Sequence, residues 1–314
     1  MAIMPTMTIA AASTTVLLNP HAAGGRAAAL EAPLRAWLTQ NAPQISLQTL
    51  DTAAQARALI DSLPHGRRVV VVGGDGTFNQ LLPSLLAGQH TAALVPFGSG
   101  NDTARALGVV GLPWQAALQL GLSAAASRVD VGWAEFEIND VKSLHRVPFI
   151  SSLTTGFDSS VGLRAINGPT WLRGLPRYLL ATLRELANLR TWDVQVKLDG
   201  QLVHSGAALF ASTLNTRSFG GGMPAVPQAH IDDGWLDLLL AKNVNLPETL
   251  LLLPRLLVGK HLGHPKIHTQ AFRQMQIESA TLIPVAADGE YLGQTRSIAL
   301  SVQAAALSVV RGDT

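Results

Sequence analysis

Cysteine is missing altogether from the 314 residues, which rules out disulfides, thiolate zinc sites and cysteine nucleophiles and suits a reducing cytoplasm. Charge is scarce as well. Only 14% of residues are Asp, Glu, Lys or Arg and the formal net charge is +2, so composition offers no case for a nucleic-acid partner. Long apolar runs are also lacking. The greasiest stretch, residues 250–258, is cut by Pro254 and Arg255 and is far shorter than the ~20 residues of a membrane span. The first 18 residues have no basic leader and are broken by Pro5 and several threonines, so no signal peptide is expected. The expectation is a cytoplasmic protein, at most peripheral to the inner leaflet of a membrane. What is abundant is apolar: hydrophobic residues make up 47%, enough for a sizeable core in one large or two ordinary domains.

The chain is organised around residues 67–79, RRVVVVGGDGTFN. Four β-branched residues in a row, Val69 to Val72, are the pattern of a strand buried on both faces of a parallel sheet. They feed straight into Gly73, Gly74, Asp75, Gly76 and Thr77, and Phe78 and Asn79 then open a helical pattern. Three glycines in four positions allow positive φ and a close backbone approach to a ligand. Strand, glycine turn and helix start together present free N–H groups to an anion, most often a phosphate. An ordinary tight turn is the plainer reading; the acid, hydroxyl and amide set among the glycines favour phosphate. The stretch is neither GxxxxGK[ST] nor GxGxxG with an acid downstream.

Strand patterns at 14–18, 45–50, 67–72 and 92–95 alternate with helical ones at 30–38, 53–63, 78–86, 103–107 and 113–121. That alternation implies a parallel sheet wrapped by helices, with ligands at the carboxyl ends of the strands. Three turns fall there: Asn19-Pro20 with Gly24, Gly25 and Arg26; the GGDGT turn; and PFGSGNDTAR, residues 96–105. In the third, Ser99 and the backbone can hold a phosphate, Arg105 can neutralise charge, and Asp102 can hold a metal or orient that arginine. A helix N-cap at Asn101 or Asp102 is compatible with those roles. After Ser127 the pattern turns to antiparallel β with inserted helices, so residues 1–128 are expected as an α/β domain and 129–314 as a sandwich-like one, with the last residues returning to the first. Arg164, Arg173, Arg177, Arg184 and Arg190 surround Trp171 and Tyr178, as a solvated helix face or a surface for anionic lipid. The spacing of His261, His264 and His268 does not fit a zinc motif.

GGDGTFN followed by P-x-G-[ST]-x-N-D-x-x-R resembles the catalytic domain of the bacterial diacylglycerol kinase family, which includes sphingosine and ceramide kinases. Further matches run in order: Asn19-Pro20 to Arg26, Asp130-Val131-Gly132, Gly156-Phe157-Asp158, Asn215 with Gly220-Gly221-Gly222, Asp232 to Asp237, and Asp288-Gly289-Glu290. Ala22 and Ala23 depart from the Ser-Gly usual in the first turn, and Arg26 stands where lysine is common. The resemblance implies an α/β + β fold: a three-layer nucleotide-binding domain of NAD kinase/diacylglycerol kinase type and a C-terminal β-sandwich-like domain. It implies ATP held by Asn19, Pro20, Gly24, Gly25, Arg26, Gly73, Gly74, Asp75, Gly76, Thr77, Phe78, Asn79, Ser99, Asn101 and Arg105. Thr49, with Thr52 as alternative, adds a nucleotide contact. Asp75, Asp102 and Asp130 resemble acids that organise a magnesium–water network, a suitable ligand set for a hard cation that keeps its waters. A second metal position is implied at Asp233 with the carbonyls of His230 and Trp235; an Asp-Gly turn without metal is the other reading. Asp288 or Glu290 is the implied catalytic base. The expected activity is ATP- and Mg²⁺-dependent phosphorylation of a lipid alcohol at a membrane surface, with a homodimer allowed for. NAD kinase, which shares GGDGT, a kinase of a non-lipid alcohol, and a non-catalytic binding protein are the alternatives.

Overall fold

The computed structural model describes residues 14–98, 100–139, 141, 143–169, 171–172 and 174–312. The chain forms two compact units, one running to Val129 and taking in the segment from Leu307 onward, the other Asp130–Ala306.

The first unit contains β1 (Thr14–Leu18), α1 (Glu31–Asn41), β2 (Ser46–Thr49), α2 (Ala53–Ser62), β3 (Arg68–Gly73), α3 (Asp75–Ala87), β4 (Thr91–Pro96), α4 (Asp102–Ala106) and α5 (Trp114–Ser123). The sheet order β2-β1-β3-β4 is parallel throughout, with Leu18 beside Val72 and Gly73 beside Pro96. All four valines of β3 are fully buried, so the β-branched run is a central strand with a helix layer on each face. Val70 and Val72 pack with Leu34 and Leu38 of α1 and with Leu118 and Leu122 of α5. Helix α3 begins at Asp75, three residues before the start expected from the apolar pattern.

The second unit holds β5 (Ala126–Glu137), β6 (Leu144–Phe149), β7 (Ser152–Thr155), α6 (Phe157–Ile166), α7 (Leu175–Glu185), β8 (Trp192–Leu198), β9 (Gln201–Leu214), β10 (Leu236–Lys242), α8 (Leu246–Leu257), β11 (Ile267–Phe272), β12 (Gln274–Ala287) and β13 (Glu290–Val310). Both β5 and β13 run on from one unit into the other along the chain. Pairing is antiparallel, in the order β11-β10-β9-β7-β12-β13. The long strands β9 and β12 serve two neighbours each. Residues 201–208 of β9 pair with β8, and its last part pairs with β10 and β7; β12 meets β8 at one end and β7 at the other. Strands that change partners along their length fold the sheet over a large apolar core, which gives the sandwich-like character. No helix among the described residues is long and apolar enough to cross a membrane.

Candidate active site

In the first unit the turns after β1, β3 and β4 meet. Asn19 Nδ2 donates to Thr77 Oγ1 at 2.8 Å and Asn19 Oδ1 accepts from the His21 N–H, tying the first turn to the second. The Phe97 N–H donates to the Gly73 carbonyl at 2.7 Å, tying the second to the third. Gly73 and Gly74 earn their place by close approach: Gly74 has φ −96°, and a Cβ there would lie 3.0 Å from the Gly98 Cα. A Cβ on Gly73 would lie 2.8 Å from the Thr77 side chain. The positive φ expected here occurs instead in the first turn, at Ala23 (54°), Gly24 (70°) and Gly25 (87°). Ala23 therefore holds a left-handed conformation that costs an L-residue about 1 kcal/mol.

Asp75, in the first turn of α3, reaches across to α4: its carboxylate accepts the N–H groups of Asp102 (2.8 Å) and Thr103 (3.2 Å). This remote cap replaces the one expected from Asn101, which sits at φ 57° and turns its amide onto the Gly98 carbonyl at 3.1 Å. The carboxylates of Asp75 and Asp102 both face the space beside Gly100. Arg105, exposed on α4, reaches back to the Gly100 carbonyl. Beside these turns lies a cavity of about 120 Å³ lined by Asn19, His21, Thr52, Thr77 and Gln80 among others. Of the two threonines read from the sequence, Thr52 lines it and Thr49 does not. Pro20 is half-buried, Arg26 is exposed with its Nε on the Ala23 carbonyl, and Gly76 and Asn79 lie within α3. Phe78, also in α3, has its side chain fully buried in the core. Ser99 lies outside the described residues.

In the second unit the acids take structural partners. Asp130 is buried, and its two oxygens accept the N–H groups of Gly234 (2.6 Å) and Ala305 (2.7 Å). Asp288, at φ 46°, accepts three main-chain N–H groups, of Ile150 (2.9 Å), Ser151 (2.7 Å) and Ser152 (2.9 Å). Glu290 is half-buried at the start of β13. Asp233 is exposed and accepts the Trp235 N–H at 3.0 Å, an Asx turn, with His230 Nε2 3.4 Å from Arg217. Among the described residues no three His, Asp or Glu side chains cluster as metal ligands; the position read from the sequence needs one carboxylate and two carbonyls. Near it, burial and then the charge of Asp233 push the Asp237 carboxyl up to about 6.

Asp158 is the residue that motif reading passed over, although it sits in the Gly156-Phe157-Asp158 match. Gly156 adopts φ 65°, and a Cβ there would strike the Leu209 carbonyl at 2.6 Å, so only glycine lets α6 start so close to β9. That seats Asp158 in the wall of an apolar cavity of about 70 Å³ formed with Phe157, Tyr178, Phe219, Leu252 and Leu256. Its Oδ2 accepts from Ser212 at 2.9 Å, and burial pushes its carboxyl up to about 7. The sequence signal was a carboxylate directly after Gly156-Phe157, at the start of a helix.

Two family models match: the diacylglycerol kinase catalytic domain over residues 13–134 and the YegS C-terminal NAD kinase beta sandwich-like domain over residues 151–311. A diacylglycerol kinase of Mycobacterium tuberculosis (strain CDC 1551 / Oshkosh) is 32% identical over 243 residues, 77% of this chain and 76% of that one. A diacylglycerol kinase of Bacillus subtilis (strain 168) is 27% identical over 227 residues, 72% and 71% of the two chains. Among solved structures, a candidate diacylglycerol kinase from Bacillus anthracis str. Sterne shares the fold with a TM-score of 0.74 at 20% identity, covering 98% of this chain and 99% of that one. Yeast NADH kinase complexed with NADH shares it with a TM-score of 0.55 at 9% identity, covering 99% and 89%.

Proposed function

Because the chain belongs to the diacylglycerol kinase family, we propose that it transfers the γ-phosphoryl group of ATP, with Mg²⁺, to a hydroxyl of a lipid alcohol. Membership makes it a kinase acting on an alcohol; the lipid, the metal and the residue roles are our reading. The observation that carries it is the Asp75 carboxylate holding the N-terminus of α4, which brings the GGDGT and PFGSGND turns together around a glycine–glycine contact. Backbone so close and so free of side chains suits phosphate oxygens. The two carboxylates beside Gly100 suit a hydrated cation, so Asp75 and Asp102 would hold Mg²⁺. When bound, the ion supplies charge neutralisation on the phosphates. Arg105 adds a positive charge on the same turn.

For the acceptor, Glu290 takes the hydroxyl proton as the oxygen attacks phosphorus. Asp288 is the poorer base, since three N–H donors stabilise it as an anion. Asp130 acts through structure: it ties the Gly234 turn to β13, and the turn with Asp233 offers a second cation position. The apolar cavity around Asp158 suits the aliphatic part of a lipid. We assign the N-terminal domain to ATP and the C-terminal one to the lipid, in a cytoplasmic enzyme that meets the inner leaflet peripherally. The test is label transfer from [γ-³²P]ATP to a panel of lipid alcohols in mixed micelles with Mg²⁺, with NAD as a separate acceptor. Label on one lipid class is expected. Label on NAD alone, or on no acceptor while ATP still binds, overturns the reading.

A further inference from the structure

We propose that α8 is the element through which the chain meets an anionic phospholipid bilayer, its outer face set in the headgroup–acyl boundary and its inner face roofing the cavity around Asp158. The inference rests on the lipid-kinase reading for its purpose and adds the surface by which the acceptor arrives. Along α8 and its C-cap, Leu246, Pro247, Leu250, Leu251, Pro254 and Val258 are all exposed. At 3.6 residues per turn they fall within one arc of ~140°. No side chain in that arc can donate or accept a hydrogen bond. Of the twelve residues of α8 only Thr249 and Leu252 are buried, so a helix that is apolar nearly all round leaves much of its surface uncovered. Such a helix is normally enclosed, by a protein core or by lipid.

The charges around the helix identify the occupant. Residues 238–277 contain a single acid, Glu248, and its carboxylate is taken by Lys266 Nζ at 2.7 Å. Lys242, Arg255, Lys260 and Arg273 add positive charge to the same stretch. Arg255, on the flank of the arc, and Lys260, just past the helix, are exposed and make no ion pair among the described residues. An apolar face bordered by basic side chains is the arrangement of a helix lying in the plane of an anionic membrane. A protein partner would find no polar group in the arc to fix its register, whereas a bilayer requires none. The inner face gives the contact a use. Leu252, Leu253 and Leu256 line the apolar cavity that holds Asp158. One helix thus separates leaflet from cavity, and an acyl chain passing beside α8 goes from one apolar environment to the other without crossing water.

Because the chain has no cysteine, Leu250→Cys gives a unique attachment point for an environment-sensitive fluorophore. Gln195→Cys is the control, on the exposed face of β8 whose valines turn into the core. The probes are phosphatidylcholine vesicles with and without phosphatidylglycerol, added to the full chain. With the anionic vesicles the label at 250 should shift to the blue and be quenched by a quencher carried on the acyl chains, and the label at 195 should not. Leu250→Glu/Leu251→Glu should weaken co-sedimentation with those vesicles by about tenfold or more. The same variant should keep the wild-type kcat for label transfer from ATP to dihexanoylglycerol dispersed as monomers, since neither residue lines the cavity; circular dichroism checks that it folds. No shift at 250, undiminished vesicle binding by the glutamate pair, a parallel fall in its kcat, or equal binding to vesicles with and without phosphatidylglycerol each overturns the surface. A label at 250 that is shielded without vesicles, increasingly with protein concentration, overturns it in favour of a second copy of the chain. Vesicle binding through α8 without phosphoryl transfer to any lipid would instead sink the kinase reading and leave the docking surface standing.

Discussion

At Asp288 three main-chain N–H groups meet one carboxylate, while Glu290 two residues on opens a strand. Hydrogen bonds to a charged acceptor contribute about 1.5–3 kcal/mol each, so Asp288 is worth more to the fold as an anion than as a proton acceptor. Glu290→Gln is therefore expected to lower kcat by about 10²–10⁴-fold with little change in Tm. Asp288→Asn should lower Tm by several degrees, as the three donors lose their charged partner. Initial rates and thermal denaturation of the two variants decide it, and the opposite pattern would exchange the roles. The DGE motif names both acids but not their tasks, because the donors to Asp288 come from residues 150–152, more than a hundred positions earlier.

Helix α4 has five residues, too few to sustain itself, and depends on the cap supplied from α3. Removing a cap typically costs about 1 kcal/mol. Asp75→Ala should therefore abolish turnover while the protein still unfolds cooperatively a few degrees below wild type; an active, normally folded variant would remove Asp75 from the site. The contact between the two glycine turns makes a second prediction. Gly74→Ala places a methyl 3.0 Å from the Gly98 Cα, backbone against backbone, so the turns must part. A rise of at least tenfold in KM for ATP is expected, read from initial rates at varied ATP, and an unchanged KM would show that the contact does not shape the nucleotide site. At this scale the sequence was legible in part. Strand β1 matches its pattern residue for residue and β3 within one, but Gly74 also packs against the neighbouring turn at Gly98, a contact outside any local pattern.

For the molecule as a whole, Asp158 links stability to pH. Its carboxyl is raised from 3.8 to about 7 by burial, so the folded chain binds a proton that the unfolded chain has released between those values. Stability is fully present below about pH 4 and is lost as pH rises towards 7 and through it. Asp158→Asn should remove that slope and leave the protein more stable than wild type at pH 8. Denaturant unfolding at pH 5 and pH 8 tests this, and identical pH dependence in the two proteins would refute it. The amino-acid sequence by itself determined the family, the α/β then β order, the strand of four valines feeding a glycine turn, and the set of acids from Asp75 to Glu290; each is written in adjacent residues or in ordered motifs. Only the tertiary structure decided what each acid does. Asp75 caps a helix 27 residues away and Asp130 holds a strand 175 residues away. Asp158 sinks into an apolar wall that α8 helps to form. A carboxylate's task follows from its hydrogen-bond donors and its burial, and both are set by residues that the fold brings near.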